Sequence, residues 1–347
     1  MRADAGPRIG SGHVMRCLSL AQALNESGWA VSLLSIDLPE VQRALWTRPG
    51  REVVDIVDMP PGIRAGSEQD AAFTAQQLQA LEAHALIVDH YGLDAAWEQQ
   101  ANPQGKPSLA IDDPPLRAHR TAWLLNQNLV EAPSPPSVDG PKLLEGPRYA
   151  LLRSEFAQQR AMAAKRLGPL RRVLINLGGF DPKAYTWPVV QQCAALFGPG
   201  VTLDVVVGPG NPDLAALQAW SAEHENRLLT VQANDMAARM LAADLAVGAG
   251  GSSAWERCCL GLPSVTVVLA DNQRAPVRLG HRAGVLVDGG DLRAANGLES
   301  MATALQALRD DPAARECMAQ AAMAMVDGQG AHRVAACITL RTGNSKA

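Results

Sequence analysis

Short apolar runs alternate along this chain with longer segments whose apolar positions recur every three or four residues. Runs rich in Val, Ile and Leu predict strands at 29–36, 52–57, 85–89, 109–112 and 123–126, with helices at 14–27 and 68–84. After a break the alternation restarts. Strands are expected at 172–177, 202–207, 228–231, 245–247 and 264–269. Helices are expected at 188–196, 212–222, 235–242, 252–260 and 275–283. Runs apolar on both faces suit parallel strands covered by helices. Two serial sets of strands and helices therefore predict an α/β protein with two doubly wound domains.

The break at 131–141 reads EAPSPPSVDGP, and four prolines there exclude a regular element. It reads as a linker or as a surface loop of the first domain. The domains are expected over 1–150 and 151–347. The final helices, near 311–324 and 331–342, either complete the second domain or return to the first. Only residues 1–5 precede Gly6, so the first strand is very short or the true start lies upstream.

Composition narrows the partners. The 347 residues suit two domains, and 47% apolar with 19% charged residues excludes a disordered chain. A net charge of −4, no block of Lys and Arg, and 4% aromatics argue against nucleic-acid binding. The longest uncharged stretch, 185–203, is broken by Pro188, Gly198, Pro199 and Gly200, so no membrane span is expected. No signal peptide is visible. The six Cys lack C-x-x-C spacing and read as buried, reduced thiols of a cytoplasmic protein.

Five segments carry candidate chemistry. In IGSGHVMR (9–16), Gly10 and Gly12 flank Ser11, and a helix begins near His13. Such a turn admits a ligand close to the backbone and offers it free N–H groups. The helix dipole disfavours an imidazolium at that end, which suits His13 to act as a general base. Taken alone, a histidine packing at a helix start is the commoner explanation. In AVGAGGSSAWE (246–256), Gly250, Gly251, Ser252 and Ser253 can cradle a diphosphate, with Glu256 one turn inward to hold a ribose diol. NLGGFDP (176–182), with Asn176 and Gly178, resembles another Gly loop. VDHYGLD (88–94) places Asp89, His90 and Tyr91 at a strand end. Asp271, Asn272 and Gln273 follow another strand. Asp112 and Asp113 read as solvated turn carboxylates, and His84, His119, His224, His281 and His332 have no suggestive neighbours. No metal site is expected. No G-x-S-x-G elbow supports serine hydrolysis, and no Rossmann fingerprint with a downstream acid supports a nicotinamide enzyme.

Together these motifs resemble the UDP-2,4-diacetamido-2,4,6-trideoxy-β-L-altropyranose hydrolases of pseudaminic acid biosynthesis. The resemblance rests on RADA, IGSGHVMRCLSLAQAL, IVDHYGLD, GPRYALLRSEF, NLGGFDP, NDMAARMLAADLAVGAGGSSAWERCCLGLPSV and ADNQ, in order along nearly the whole chain. It implies a glycosyltransferase B-type fold, two Rossmann-like domains facing a cleft. It implies inverting hydrolysis of a UDP-sugar at the anomeric carbon, releasing UDP and free sugar, without a metal or other cofactor. Its partners would be the substrate and water, and the chain a monomer or weak oligomer. Carried onto this sequence, the catalytic base falls on His13. Tyr91 and Asn272 position the sugar or the attacking water. Gly250, Gly251, Ser252 and Ser253 hold the diphosphate, Glu256 the ribose, and the backbone near Met236 the uracil. Gly10, Gly12, Asn176 and Gly178 line the substrate. Phe180 stands where the family has a small hydroxyl residue, Asn126 where it has Asp, and Ser154 where it has Pro.

The chemistry fits such residues. UDP departs as a stable anion, so one base for water suffices where ordinary glycosides need a second carboxyl group as acid. Rival readings are a UDP-sugar glycosyltransferase, which needs an acceptor groove, and a non-catalytic nucleotide-sugar-binding relative, which would lack the base.

Overall fold

The computed structural model describes residues 1–6, 9–47, 54–132, 140–163 and 168–342. The chain divides into two compact units, Met1–Ser154 with Gln329–Ala347, and Glu155–Gly328.

The first unit is built on seven parallel strands: β1 (Arg2–Ala3), β2 (Val31–Ser35), β3 (Val54–Asp58), β4 (Leu86–Asp89), β5 (Ser108–Ile111), β6 (Trp123–Asn126) and β7 (Lys142–Glu145). Their order is β3-β2-β1-β4-β5-β6-β7. Helices α1 (Gly12–Glu26), α2 (Glu40–Trp46), α3 (Glu68–Ala80) and α4 (Ala95–Ala101) connect them. Alternate strand positions face opposite layers. Ile87, Leu109 and Leu125 pack with Val14, Leu18 and Leu20 of α1. Leu86, Val88 and Leu124 pack with Leu78 of α3 and Trp97 of α4. Each such aliphatic side chain contributes about 1.5–3 kcal/mol on full burial.

The second unit opens with α5 (Ser154–Gln159) and carries six parallel strands: β8 (Arg172–Asn176), β9 (Thr202–Val207), β10 (Arg227–Val231), β11 (Leu245–Ala249), β12 (Ser264–Val268) and β13 (Val287–Asp291). Their order is β10-β9-β8-β11-β12-β13. The helices are α6 (Thr186–Phe197), α7 (Leu214–Ala222), α8 (Met236–Ala242), α9 (Ser253–Cys259), α10 (Asp271–Arg282), α11 (Gly297–Asp310) and α12 (Pro312–Met325). Strand residues such as Val173, Ile175, Val205, Val247 and Val265 pack with Val189, Trp220, Met301 and Leu305 of the helices.

The last helix, α13 (Gly330–Thr342), belongs to the first unit. Val334 and Ile338 join the core beside α1, and Trp29 Nε1 donates to Thr339 Oγ1 at 3.0 Å.

Strand order reverses between β1 and β4 in the first sheet and between β8 and β11 in the second. At such reversals the connections leave to opposite faces and open a crevice at the strands' carboxyl ends. Four of the five candidate motifs follow these strands, and Asp271–Gln273 follows β12. β1 has only two residues yet is central, with Arg2 opposite Leu34 and Val88, and Ala3 opposite Asp89.

β7 and β13 lie beyond the strands expected from the pattern. Both are edge strands, with only one neighbour to satisfy. In β7 only Leu144 is buried, and β13 reads VDGGD with an irregular register. The helices α2, α4 and α11 are likewise additions. The proline-rich segment lies partly outside the described residues, at 133–139, and the strands on either side of it, β6 and β7, are neighbours in one sheet.

Candidate functional site

In the first unit the chain turns sharply between β1 and α1. Gly6 and Gly10 form a small antiparallel bridge, with N–H to O distances of 3.0 and 2.7 Å. Gly10 has φ +77°, a conformation open to glycine at little cost. Gly12 begins α1 and His13 is its second residue.

His13 is buried, and its Nδ1 lies 2.5 Å from Oδ1 of Asp89, the last residue of β4. A buried carboxylate accepts only, so the ring proton sits on Nδ1 and Nε2 is left as the basic nitrogen. Nε2 has no hydrogen-bond partner among the described residues. Tyr91 stands edge-on to the imidazole, with ring centroids 4.5 Å apart, and His90 lies 6.2 Å away. His13 and Tyr91 are thus brought together from opposite sides of the sheet's reversal.

Arg16, one turn further along α1, ties this group together. Its Nε and Nη2 donate to the two oxygens of Asp89 at 2.6 and 2.7 Å. Its Nη1 donates to Asp113, at 3.0 and 2.9 Å from the two oxygens. Asp113 also accepts from the Tyr91 hydroxyl at 2.7 Å and from Asn128 Nδ2 at 2.8 Å. Burial alone would raise both carboxyl groups, but the Arg16 guanidinium outweighs it and holds them below the usual carboxylate range. Burial, joined by the Asp113 charge, pushes the Tyr91 phenol well above its ordinary value, so its hydroxyl stays a donor. Burial lowers His90.

Two expectations are corrected. Asp112 and Asp113 are not solvated: Asp112 is fully buried and Asp113 carries the contacts just given. Asp112 accepts from the Arg117 backbone N–H at 2.8 Å and pairs with its side chain, which lies over the Tyr91 ring. His119 does have suggestive neighbours, Glu98 at 2.6 Å and Asp112 at 3.1 Å. Burial disfavours its charged form, but the hydrogen bonds it donates to Asp112 and Glu98 prevail and raise it to about 9. The turn before Pro114 looked like surface; β5 and β6 carry it inward. Arg16 is the group that sequence reading missed. Its signal was the spacing from His13, three residues on one helix, which places both on one face.

In the second unit the corresponding turns are made of backbone. Asn176 ends β8 and donates its amide to Val206 O at 2.9 Å, bracing β8 against β9. Gly178 follows with φ +112°. A Cβ on Gly208 would lie 1.9 Å from Gly179 O, so glycine is required where these loops meet. After β11, a Cβ on Gly250 would lie 2.4 Å from Val277 Cγ2 and 3.2 Å from Gln273 Cβ. The Gly250 turn therefore packs directly on α10, which carries Asn272. A Cβ on Gly251 would meet nothing within 4 Å. Ser252 precedes α9, Ser253 opens it, and Glu256 lies within it. Met236 begins α8 and is buried.

Arg257 of α9 is buried under the Gly248 end of β11. It donates to Ala249 O at 3.1 Å, Thr266 Oγ1 at 3.2 Å and Ser253 Oγ at 3.3 Å. Burial lowers it to about 10, against the nearby charge of Glu256. Because Arg257 donates to Ser253 Oγ, the Ser253 hydroxyl proton points elsewhere. Among the described residues no three His, Cys, Asp or Glu side chains converge as a metal site, and no helix is long and apolar enough to cross a membrane.

No family model matches the chain. Over 150 residues it is 28% identical to the spore coat polysaccharide biosynthesis protein SpsG of Bacillus subtilis, covering 42% of this chain and 43% of that protein. The chain thus spans less than half the length of that relative. It is 23% identical over 244 residues to the UDP-2,4-diacetamido-2,4,6-trideoxy-β-L-altropyranose hydrolase of Campylobacter jejuni, covering 69% of this chain and 80% of that one. Among solved structures, MurG of Acinetobacter baumannii superposes with TM-score 0.65 at 18% identity, over 98% of this chain and 99% of that one. The spinosyn rhamnosyltransferase SpnG, complexed with spinosyn aglycone, gives TM-score 0.62 at 17% identity over 99% of each chain. The fold is of the glycosyltransferase B type.

Proposed function

We propose that this chain hydrolyses a UDP-linked 2,4-diacetamido-2,4,6-trideoxy sugar at the anomeric carbon, with inversion. The observation that carries the reading is the His13–Asp89 pair, a buried imidazole whose Nδ1 is occupied and whose Nε2 is not. Water attacks the anomeric carbon, the bond from that carbon to the diphosphate oxygen breaks, and the water proton passes to His13 Nε2. UDP leaves as an anion and needs charge stabilisation rather than a general acid. Tyr91, beside the His13 ring, positions the water or the sugar, and Asn272 shares that task.

The second unit takes the nucleotide. Gly250, Gly251, Ser252 and Ser253 offer backbone N–H groups and hydroxyls to the diphosphate, and Arg257 beneath them is a buried cation that donates to neutral oxygens. Glu256 holds the ribose and the backbone near Met236 the uracil. Gly10, Gly12, Asn176 and Gly178 line the substrate. The relative in Campylobacter jejuni whose name states this hydrolysis supports the reading. The enzyme works in the cytoplasm, without a metal and as a monomer or weak oligomer, on this reading.

The test is UDP release from UDP-2,4-diacetamido-2,4,6-trideoxy-β-L-altrose, followed by NMR of the freed sugar. Wild type is expected to release UDP with water alone, giving the inverted anomer first. His13→Ala is expected to slow release by about 10²–10⁴-fold. Unchanged release by that variant would remove His13 as the base. The fold likeness to a rhamnosyltransferase favours a second reading, in which His13 deprotonates an acceptor hydroxyl. UDP release only when an acceptor alcohol is added would establish it.

A further inference from the structure

The carboxylates around His13 outnumber the cation between them. Asp89 and Asp113 flank Arg16; Asp89 and Arg16 are buried and Asp113 is half-buried. With a neutral imidazole the cluster carries one excess negative charge, and with an imidazolium it is balanced. On one side Asp112 and Glu98 are matched by Arg117 and His119. On the other, Asp4 and Asp70 outnumber Arg2, which adds negative charge on the side of His90, and Cys17 against Asp89 stays a neutral thiol because burial raises it. His90, lowered by burial, adds no positive charge. Tyr91 stays an uncharged donor. The imbalance thus falls on His13, the one basic group in the cluster whose reading calls for gaining a proton.

The contacts of Arg16 are geometric as well as electrostatic. One edge of its guanidinium spans both oxygens of Asp89, and Nη1 spans both oxygens of Asp113. Asp89 Oδ1 receives Arg16 Nη2 at 2.7 Å and His13 Nδ1 at 2.5 Å, so the same oxygen aligns both donors. Asp113 Oδ2 receives Arg16 and the Tyr91 hydroxyl. One side chain therefore sets the direction of the imidazole and of the phenol that faces it.

We propose that Arg16 is a positioning residue that fixes His13 and Tyr91 through Asp89 and Asp113, and offsets these carboxylates so that they do not hold a proton on His13 prematurely. This rests on the reading of His13 as the base. Removing the Arg16 charge leaves two carboxylates beside the ring, and nearby opposite charge favours the protonated form. A protonated His13 cannot take a proton from water. Arg16→Lys keeps the charge but not the planar fork that spans two carboxylates.

The experiment follows the His13 ring by NMR titration in full-length protein, assigned with His13→Ala, beside the pH profile of kcat for UDP release. In Arg16→Gln the His13 titration midpoint is expected to move up by about one pH unit or more. The acidic limb of the kcat profile should move with it, so activity lost near neutral pH returns at higher pH. Arg16→Lys should restore the midpoint while kcat stays about tenfold low. Should Arg16→Gln not fold, Asp113→Asn serves, and its midpoint should move down. Folded Arg16→Gln with an unmoved midpoint, or Asp113→Asn with an unmoved or raised one, would overturn the proposal. The titration needs no substrate. A shifted midpoint in a protein that releases no UDP would leave the Arg16 assignment standing and sink the proposed reaction instead.

Discussion

The two units share one topology and fill its crevice in opposite ways. At the reversal of the first sheet, side chains do the work. Asp89, Arg16, His13, Asp113 and Tyr91 form a continuous network, buried at Asp89, Arg16 and His13 and opening to solvent at Tyr91. At the reversal of the second sheet the backbone predominates, and glycines at 208, 248 and 250 sit where a Cβ would strike a neighbour. The buried arginines differ in the same sense. Arg2 and Arg16 of the first unit face carboxylates. Arg257 and Arg315 of the second unit donate to carbonyls and hydroxyls. A charge taken out of water without a counter-charge costs several kcal/mol, so its retention calls for a reason. Arg315 meets the carbonyls of Leu308 and Arg309 near the end of α11, where a helix dipole attracts a cation. Arg257 lies beneath a turn suited to an anion. On the function proposed above, the first unit moves the proton and the second receives the negative charge.

The sharpest way to break this contrast is Asp89→Asn. It keeps the shape but lets Nδ1 of His13 lose its fixed proton. Activity is expected to fall by about 10²–10⁴-fold, while UDP affinity by calorimetry is unchanged. A matching loss of UDP affinity would mean that the units do not divide the work as drawn.

Next in size is a pair of glycines. Gly250→Ala forces a methyl to 2.4 Å from the buried Val277 and should destabilise by about 1–3 kcal/mol in denaturant unfolding. Gly251→Ala meets no neighbour within 4 Å and should leave stability within about 0.5 kcal/mol. Equal effects would show that the turn is not held against α10 as described. Glu256→Ala should weaken UDP binding by about tenfold, or 1.4 kcal/mol, with little change for pyrophosphate. Loss of both ligands alike would remove Glu256 from the ribose.

The smallest expected effect concerns His119. Its folded value is raised, to about 9, so its contribution is fully present below the ordinary histidine value and is lost as pH rises through 9. From pH 7 to 10, wild type should lose on the order of 1 kcal/mol more stability than His119→Gln, after allowance for solvent screening. Parallel pH profiles for the two proteins would remove the ion pair from the account of the first unit.

Much of the fold was visible in periodicity. The expected strands at 123–126 and 202–207 coincide with β6 and β9, because runs of apolar residues of this length have few other uses. The strands β7 and β13 escaped for the converse reason, since KLLE and VDGGD hold too few apolar residues to stand out as a run. The site was visible as loops but not as contacts. His13 and Tyr91 were named from separate motifs, whereas nothing local joins His13 to Asp89 across 76 residues, or Arg16 to Asp113 across 97.

By itself, then, the sequence determined the two β/α sets, the glycine turns that follow their strands, and the histidine at the first of them. These are local properties, written in the spacing of apolar residues and in the backbone freedom of glycine. Only the tertiary structure decided which charges meet. Strand order placed β4 beside β1, brought the Asp112–Asp113 turn inward, and returned α13 to the first unit. Burial then forced each of those carboxylates to find a cation, because a charge removed from water persists only where an opposite charge or a hydrogen bond replaces it.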